Sequence, residues 1–144
     1  MKKSIYSCSM RGCKYWVIHP IMPFGCNNPP ELDGEFWELN LKFMRELLEF
    51  AKDLGVTICL ENMPFRKQRI SSMQYIVQAV EKVNSSFVGI CLDTGHCHYL
   101  KEDIAENIYL AKDHLKTLHI HDNRAFSDAH LLPFMGSIDW EKFA

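Results

Sequence analysis

The chain has 144 residues and a formal charge of −2, with 47% hydrophobic and 24% charged residues. That is globular composition, and it excludes a disordered tail, a collagen-like repeat and a coiled coil. No apolar run approaches the roughly 18 residues of a membrane span, and 16 Lys and Arg against 18 Asp and Glu are too few for a protein living on phosphate contacts, so no nucleic-acid partner is expected.

The length fits a single domain over 1–144. No apolar core follows Met1-Lys2-Lys3, so no signal peptide is read there, and a cytoplasmic protein is expected. Residues 4–12 read as the tail of a helix ending at Gly12. Tyr15 to His19 reads as a short strand stopped by Pro20, followed by a loop through Asn27-Asn28-Pro29-Pro30. Glu35 to Leu54 reads as a long helix, because Phe36, Leu39, Phe43, Leu47, Phe50 and Leu54 recur at three- and four-residue steps and Gly55 supplies the stop. Val56 to Glu61 is a second strand. Ser71 or Ser72 caps a helix running to about Val83. Phe87 to Asp93 is a third strand, apolar enough to be covered on both faces. Asp103 to about Asp113 is a helix and Lys116 to His121 a fourth strand. Asp122 to Ser137 reads as loop, and Ile138-Asp139-Trp140 opens a further helix.

Strands alternating with helices give right-handed βαβ units and a parallel sheet, either open or closed into a barrel. Each strand ends in a metal-capable side chain: His19, Glu61, Asp93 and His119. In a parallel sheet these ends share one rim, where barrel active sites sit. A lone carboxylate at a strand end is usually a helix cap; four polar ends in four strands point to a site. Val17, Cys59, Cys91 and Thr117, two residues earlier, share the same face and are of a size that suits a barrel interior. Oxygen and nitrogen ligands without thiolates suit Mn, Mg, Co or Zn. Six cysteines without a Cys-x-x-Cys pair read as reduced thiols, with Cys59 and Cys91 buried.

Further candidates lie downstream. Asp93-Thr94-Gly95-His96 sets an imidazole three residues after a carboxylate, and Asp128-Ala129-His130 adds another pair. Cys97 and His98 read as local loop. His114 reads as a surface or helix-end residue. His121 reads as lying past the rim, behind the ligands. Arg66, Lys67 and Arg69 form a basic cluster that is either a solvated loop or an anchor for a substrate phosphate.

The segments Val17-Ile18-His19-Pro20, Leu60-Glu61-Asn62-Met63-Pro64, Leu92-Asp93-Thr94-Gly95-His96, His119-Ile120-His121-Asp122-Asn123 and Asp128-Ala129-His130, with Pro133 through Gly136 to Ile138-Asp139-Trp140, together resemble the xylose isomerase-like barrel superfamily. That superfamily holds sugar and sugar-phosphate isomerases and epimerases as well as endonuclease IV. The resemblance implies an α/β fold, a partial (β/α)8 TIM barrel of about four parallel strands with helices on the outer face. It implies Glu61, Asp93 and His119 as ligands of a divalent metal, with Glu61 also the catalytic acid/base. His96 and Arg124 are implied as substrate contacts. His19, Asp128 and His130 match additional metal ligands of the endonuclease. The chain departs from the family pattern at Ile21 and Phe134, where glycine is common.

A complete barrel needs about 250 residues. The resemblance starts before the family's fourth strand and stops after its seventh, so the strand carrying a second glutamate acid/base is expected to be missing. The expected function is metal-dependent isomerisation or epimerisation of a small sugar or sugar phosphate by proton transfer through a metal-stabilised enediolate, weak or absent in this chain alone. Two alternatives are an endonuclease IV-like hydrolase acting at abasic DNA and a non-catalytic truncated barrel. Unpaired strand edges would favour self-association.

Overall fold

The computed structural model describes residues 1–22, 33–65 and 69–144. Four strands, β1 (Tyr15–Ile18), β2 (Thr57–Glu61), β3 (Val88–Asp93) and β4 (Leu115–His119), form one parallel sheet in the order β1-β2-β3-β4. Sequential parallel neighbours joined through helices are βαβ units, and the result is a curled half-barrel, four strands of a TIM barrel. The pairing is staggered. Ile18 aligns with Leu60 and Glu61 with Cys91, whereas Asp93 aligns with His119.

Side-chain alternation divides the sheet into two faces. Ile58, Leu60, Ile90 and Leu92 are buried with the helices α2 (Asp33–Asp53), α3 (Met73–Val83) and α5 (Ile104–Ala111). Leu41, Met44, Ile76 and Val80 supply the facing layer, and burial of each such side chain stabilises the fold by roughly 1.5–3 kcal/mol. The opposite face carries Val17, Cys59, Cys91 and Thr117, the layer expected beneath the rim. Both cysteines are fully buried, and Val17 and Thr117 are half-buried. A second cluster joins α1 (Lys2–Met10) to the sheet through Ile5, Leu47, Ala51, Val56 and Ile58.

Caps set the helix boundaries. Ser72 accepts a hydrogen bond from the Tyr75 amide at the start of α3, and Asn84 closes it in a left-handed conformation. Asp103 caps α5, which ends at Ala111 because Lys112 turns to φ 46° and a 3-10 turn, Lys112–His114, follows. His114, read as a helix-end residue, sits in that turn. Asp139 caps the short α6 (Trp140–Phe143), and Lys142 pairs with Asp103 to tie α6 to α5. After β1 the chain is pinned by the buried Asn40, which accepts from the Ile21 amide at 2.7 Å and donates to the Ile21 carbonyl at 3.0 Å.

Two expectations are corrected. Cys97 and His98 lie in a helix, α4 (Thr94–Leu100), not a loop. Asp93 caps it and Cys97 is fully buried, so tertiary contact offsets a weak helical sequence. The fourth strand ends at His119 rather than His121. There the Thr94 hydroxyl takes over the backbone, accepting from the His121 amide at 3.2 Å and donating to its carbonyl at 2.9 Å. The segment after β4 is irregular, as read, apart from a bridge between Asp122 and Leu131.

Candidate metal centre

Glu61, Asp93 and His119 end three consecutive strands and their tips converge. His119 Nδ1 lies 2.8 Å from Glu61 Oε1 and 3.8 Å from Asp93 Oδ2. Asp93 is both a helix cap and part of the site. Its Oδ1 accepts from the His96 amide at 2.8 Å, while Oδ2 faces His119. Asn62 fixes the Asp93 backbone, its side chain accepting from the Asp93 amide at 2.8 Å and donating to the Asp93 carbonyl at 3.2 Å. Asp93 is buried, Glu61 partly buried and His119 half open, with side-chain exposures of 2% for Asp93, 13% for Glu61 and 46% for His119. An acidic floor therefore opens to solvent on the imidazole side.

Beside this trio stands a second group. His96, His121, Asp128 and His130 each offer a ligand atom, all within 4.8 Å of one another. His96 also lies near Glu61 and Asp93, but through Nδ1, at 3.8 and 3.7 Å. That nitrogen is 2.7 Å from the Asn62 carbonyl oxygen. A carbonyl only accepts, so Nδ1 carries the proton and is closed to a metal. The free nitrogen is Nε2, which lies 3.4 Å from Asp128 Oδ2.

His121 is the residue the sequence reading undervalued. It is buried, with Nε2 2.9 Å from Asp93 Oδ1 and 3.8 Å from Asp128 Oδ1. The close contact to Asp93 lacks hydrogen-bond direction, so neither ring nitrogen has a hydrogen-bond partner. Asp128 Oδ1 is orphaned in the same way. Buried polar atoms without partners cost roughly 1–3 kcal/mol each, a cost a bound cation would remove. The donor set is oxygen and imidazole nitrogen, which suits a divalent ion. His-Ile-His spacing placed 119 and 121 on one face; the hold on residue 121 by Thr94 is the part that spacing cannot show.

His19 stands outside both groups. It is exposed, and its Nδ1 lies 3.0 Å from the Pro20 carbonyl. Arg124 is exposed in the loop after β4. Of the basic cluster, Arg66 and Lys67 lie outside the described residues, as does Cys26; Arg69 is exposed at the start of a 3-10 turn. His98 Nε2 pairs with Ser137 Oγ at 2.8 Å, away from the ligand groups.

The loop that carries Asp128 and His130 is organised by Asp122. Its Oδ1 accepts from the amides of Asn123, Ser137 and Ile138 at 2.8, 3.1 and 3.1 Å. Its Oδ2 accepts from the Gly136 amide at 3.0 Å and from Trp140 Nε1 at 2.9 Å. Burial pushes this carboxyl up, but the Trp140 indole and the backbone amides together outweigh burial and hold it below the ordinary carboxylate value. Two glycines make the packing feasible. A Cβ on Gly136 would meet Asp122 Oδ1 at 2.2 Å, and one on Gly95 would meet His121 Cε1 at 2.0 Å. Below the rim the thiols are inert. Burial pushes Cys59 and Cys97 up to about 12, and burial followed by the charge of Glu61 raises Cys91. All five described cysteines are free.

"Probable endonuclease 4" of Metamycoplasma arthritidis is 33% identical over 124 residues, covering 81% of this chain and 43% of that protein. "D-psicose 3-epimerase" of Enterocloster bolteae is 28% identical over 127 residues, covering 88% of this chain and 38% of that one. The chain thus spans less than half the length of these relatives. Among solved structures, a D-tagatose 3-epimerase-like protein superposes with TM-score 0.85 at 26% identity, over 98% of this chain and 53% of its own. The IOLI protein with a bound zinc atom superposes with TM-score 0.81 at 25% identity, over 99% of this chain and 52% of its own. The family model described as "Xylose isomerase-like TIM barrel" matches residues 1–144. The chain belongs to the xylose isomerase-like TIM-barrel family.

Proposed function

We propose that this chain carries the metal-binding and proton-transferring half of a sugar or sugar-phosphate isomerase or epimerase. The convergence of Glu61 and Asp93 on His119, from the ends of three neighbouring strands, carries the reading. These three residues would hold a divalent ion, which when bound supplies Lewis-acid polarisation of a substrate carbonyl. Glu61 takes the proton from the carbon beside that carbonyl and returns it, one carboxylate oxygen facing His119 and the other the substrate. Asp93, held by Asn62 and by the start of α4, fixes the negative charge on the floor. The half-open His119 side admits the sugar, where Arg124 and the Nε2 of His96 would be the polar groups for its oxygens. The relatives named for epimerases of D-psicose and D-tagatose support a small sugar as the substrate class.

A second reading is favoured by the Asp128/His130 pair and by the relative named a probable endonuclease 4. It is a phosphodiester hydrolase with clustered metals. The slightly acidic charge weighs against it.

Incubation with a ketohexose in D2O with Mn²⁺ tests the first reading. The expected result is deuterium entering the carbon beside the carbonyl with little inversion, because one acid/base serves one face of the sugar. Glu61→Gln should abolish the exchange. Exchange surviving Glu61→Gln refutes the assignment, and metal-dependent cleavage of an abasic duplex would favour the second reading.

A further inference from the structure

We infer that Cys8 and Cys13 form a redox-active dithiol: oxidised glutathione, or another small-molecule disulfide, joins them in a reversible intramolecular disulfide that clasps the end of α1 to the segment entering β1. The inference stands apart from the metal centre and from the proposed function. It moves these two cysteines from resting thiols to a modification site.

The turn that ends α1 brings the pair together. Gly12 takes a φ of 71°. Its amide donates to the Ser9 carbonyl at 2.9 Å, and the Cys13 amide donates to the Cys8 carbonyl at 3.0 Å. These two bonds around a left-handed glycine make a Schellman motif. In that motif the side chain in the last turn of the helix meets the side chain just past the glycine, and an apolar pair often fills the two places. Here both places hold cysteine. The Cys8 sulfur lies over the turn, 3.3 Å from the Tyr15 carbonyl oxygen and 3.6 Å from that of Cys13. The two thiols are hydrogen-bonding neighbours.

Exposure and charge set the order of events. Cys13 is exposed and stands between the exposed Arg11 and Lys14, and basic neighbours favour the thiolate that attacks. Cys8 is partly buried against Ile5, Leu47 and Ala51. Burial, and then the charge of Cys13, push its thiol up, which keeps it from reacting first. The Cys13 thiolate attacks one sulfur of oxidised glutathione, that S–S bond breaks, and one glutathione leaves as its thiolate. The Cys8 thiolate then attacks the Cys13 sulfur, and the second glutathione leaves. The two thiol protons of the chain end on the two glutathiones. The chain loses the two electrons that the glutathione disulfide gains. Cys59, Cys91 and Cys97 are fully buried and take no part.

The bond would fasten a lightly held helix. Ile5 is the buried side chain of α1, and Ser9 Oγ adds a hydrogen bond to the Leu54 carbonyl at 3.0 Å. Past the turn the backbone is already committed to the sheet, since the Lys14 carbonyl accepts from the Thr57 amide at 2.8 Å. A link from Cys8 to Cys13 therefore ties α1 to a segment that the sheet holds.

Equilibration of the 144-residue chain in mixtures of reduced and oxidised glutathione, quenched by alkylation, tests this. Trypsin cuts after Lys3, Arg11 and Lys14, so the bond appears as peptide 4–11 linked to peptide 12–14. The equilibrium constant for linking should be at least ~10-fold higher in the native chain than in urea, because the turn holds the thiols together. Cys8→Ser should trap glutathione on Cys13, which the wild type resolves. Linking should raise the melting temperature by about 3–8 °C, with no rise in Cys13→Ser, at an exposed position. Glutathione persisting on Cys13 of the wild type, a link from Cys8 to another cysteine, or equal linking in urea overturns the dithiol. A linked chain that melts no higher than the reduced chain overturns the clasp.

Discussion

Replacing Asp122 by Asn should destabilise the chain by roughly 3 kcal/mol at neutral pH. The carboxylate accepts five hydrogen bonds, three on Oδ1 and two on Oδ2. An amide offers one acceptor, and its oxygen should take the side with three donors. The Gly136 amide and the Trp140 indole then face an NH2 group. A hydrogen bond to a charged group contributes about 1.5–3 kcal/mol, and a buried donor left unpaired costs a similar amount, so two such losses give about 2–4 kcal/mol after partial relaxation. Asp122 is held below the ordinary carboxylate value in the folded chain. Its contribution is therefore complete above the unfolded value of about 3.9 and is lost as pH falls through the folded value. Urea unfolding followed by tryptophan fluorescence should show a constant gap between wild type and variant from about pH 7 to pH 5, narrowing below about pH 4. A gap under about 0.5 kcal/mol at neutral pH, or one that widens on acidification, would refute the reasoning.

Other substitutions follow from the same geometry. Gly95→Ala places a Cβ 2.0 Å from His121 Cε1; it should cost about 1–3 kcal/mol and displace that ring, seen as a shifted His121 resonance in NMR. Phe134→Gly should stabilise the chain by about 0.5–1 kcal/mol, because a left-handed φ of 70° strains any residue but glycine and the side chain is largely exposed. An unchanged or lower melting temperature would count against that. Thiol titration at pH 8 should leave Cys59, Cys91 and Cys97 unreactive until urea is added, since burial raises all three. Fast labelling of Cys91 in the native chain would show that the layer beneath the rim is open.

Periodicity made α2, α3 and all four strands legible, but the stripe read for α2 (Phe36, Leu39, Phe43, Leu47, Phe50 and Leu54) is rotated from the face that packs: Leu41, Met44, Leu47, Leu48 and Ala51 are buried, whereas Leu39 is exposed. A cap at Ser71 or Ser72 was readable because the pair precedes a regular pattern, and the structure selects Ser72; Asp103 was read only as the start of its helix, and its capping role comes from the structure. Helix α4 was not legible, since Thr94, Gly95, His96 and His98 are poor helix formers and the segment is held by Asp93 at its start and by burial of Cys97. The meeting of Glu61, Asp93 and His119 follows from strand ends sharing a rim. The position of His121 does not, because it depends on a threonine 27 residues earlier. Asp122 reads as an ordinary loop acid until its five donors are seen, four of them 14 to 18 residues away. Phe134 stood out as a departure from glycine, and its backbone angle supplies the physical reason.

The stagger between strands also governs which carboxylic acid suits each position. Glu61 aligns with Cys91, one step of the pleat below Asp93, while Asp93 is level with His119. The longer side chain rises from the lower station and the shorter from the upper, so their oxygens arrive near the same imidazole. Exchanging the two acids would retract one charge by about 1.5 Å and overextend the other. The extra methylene of Glu61 makes up about 1.5 Å of a two-residue offset of about 6.6 Å, so Glu61 and Asp93 are not interchangeable although both are simply anions.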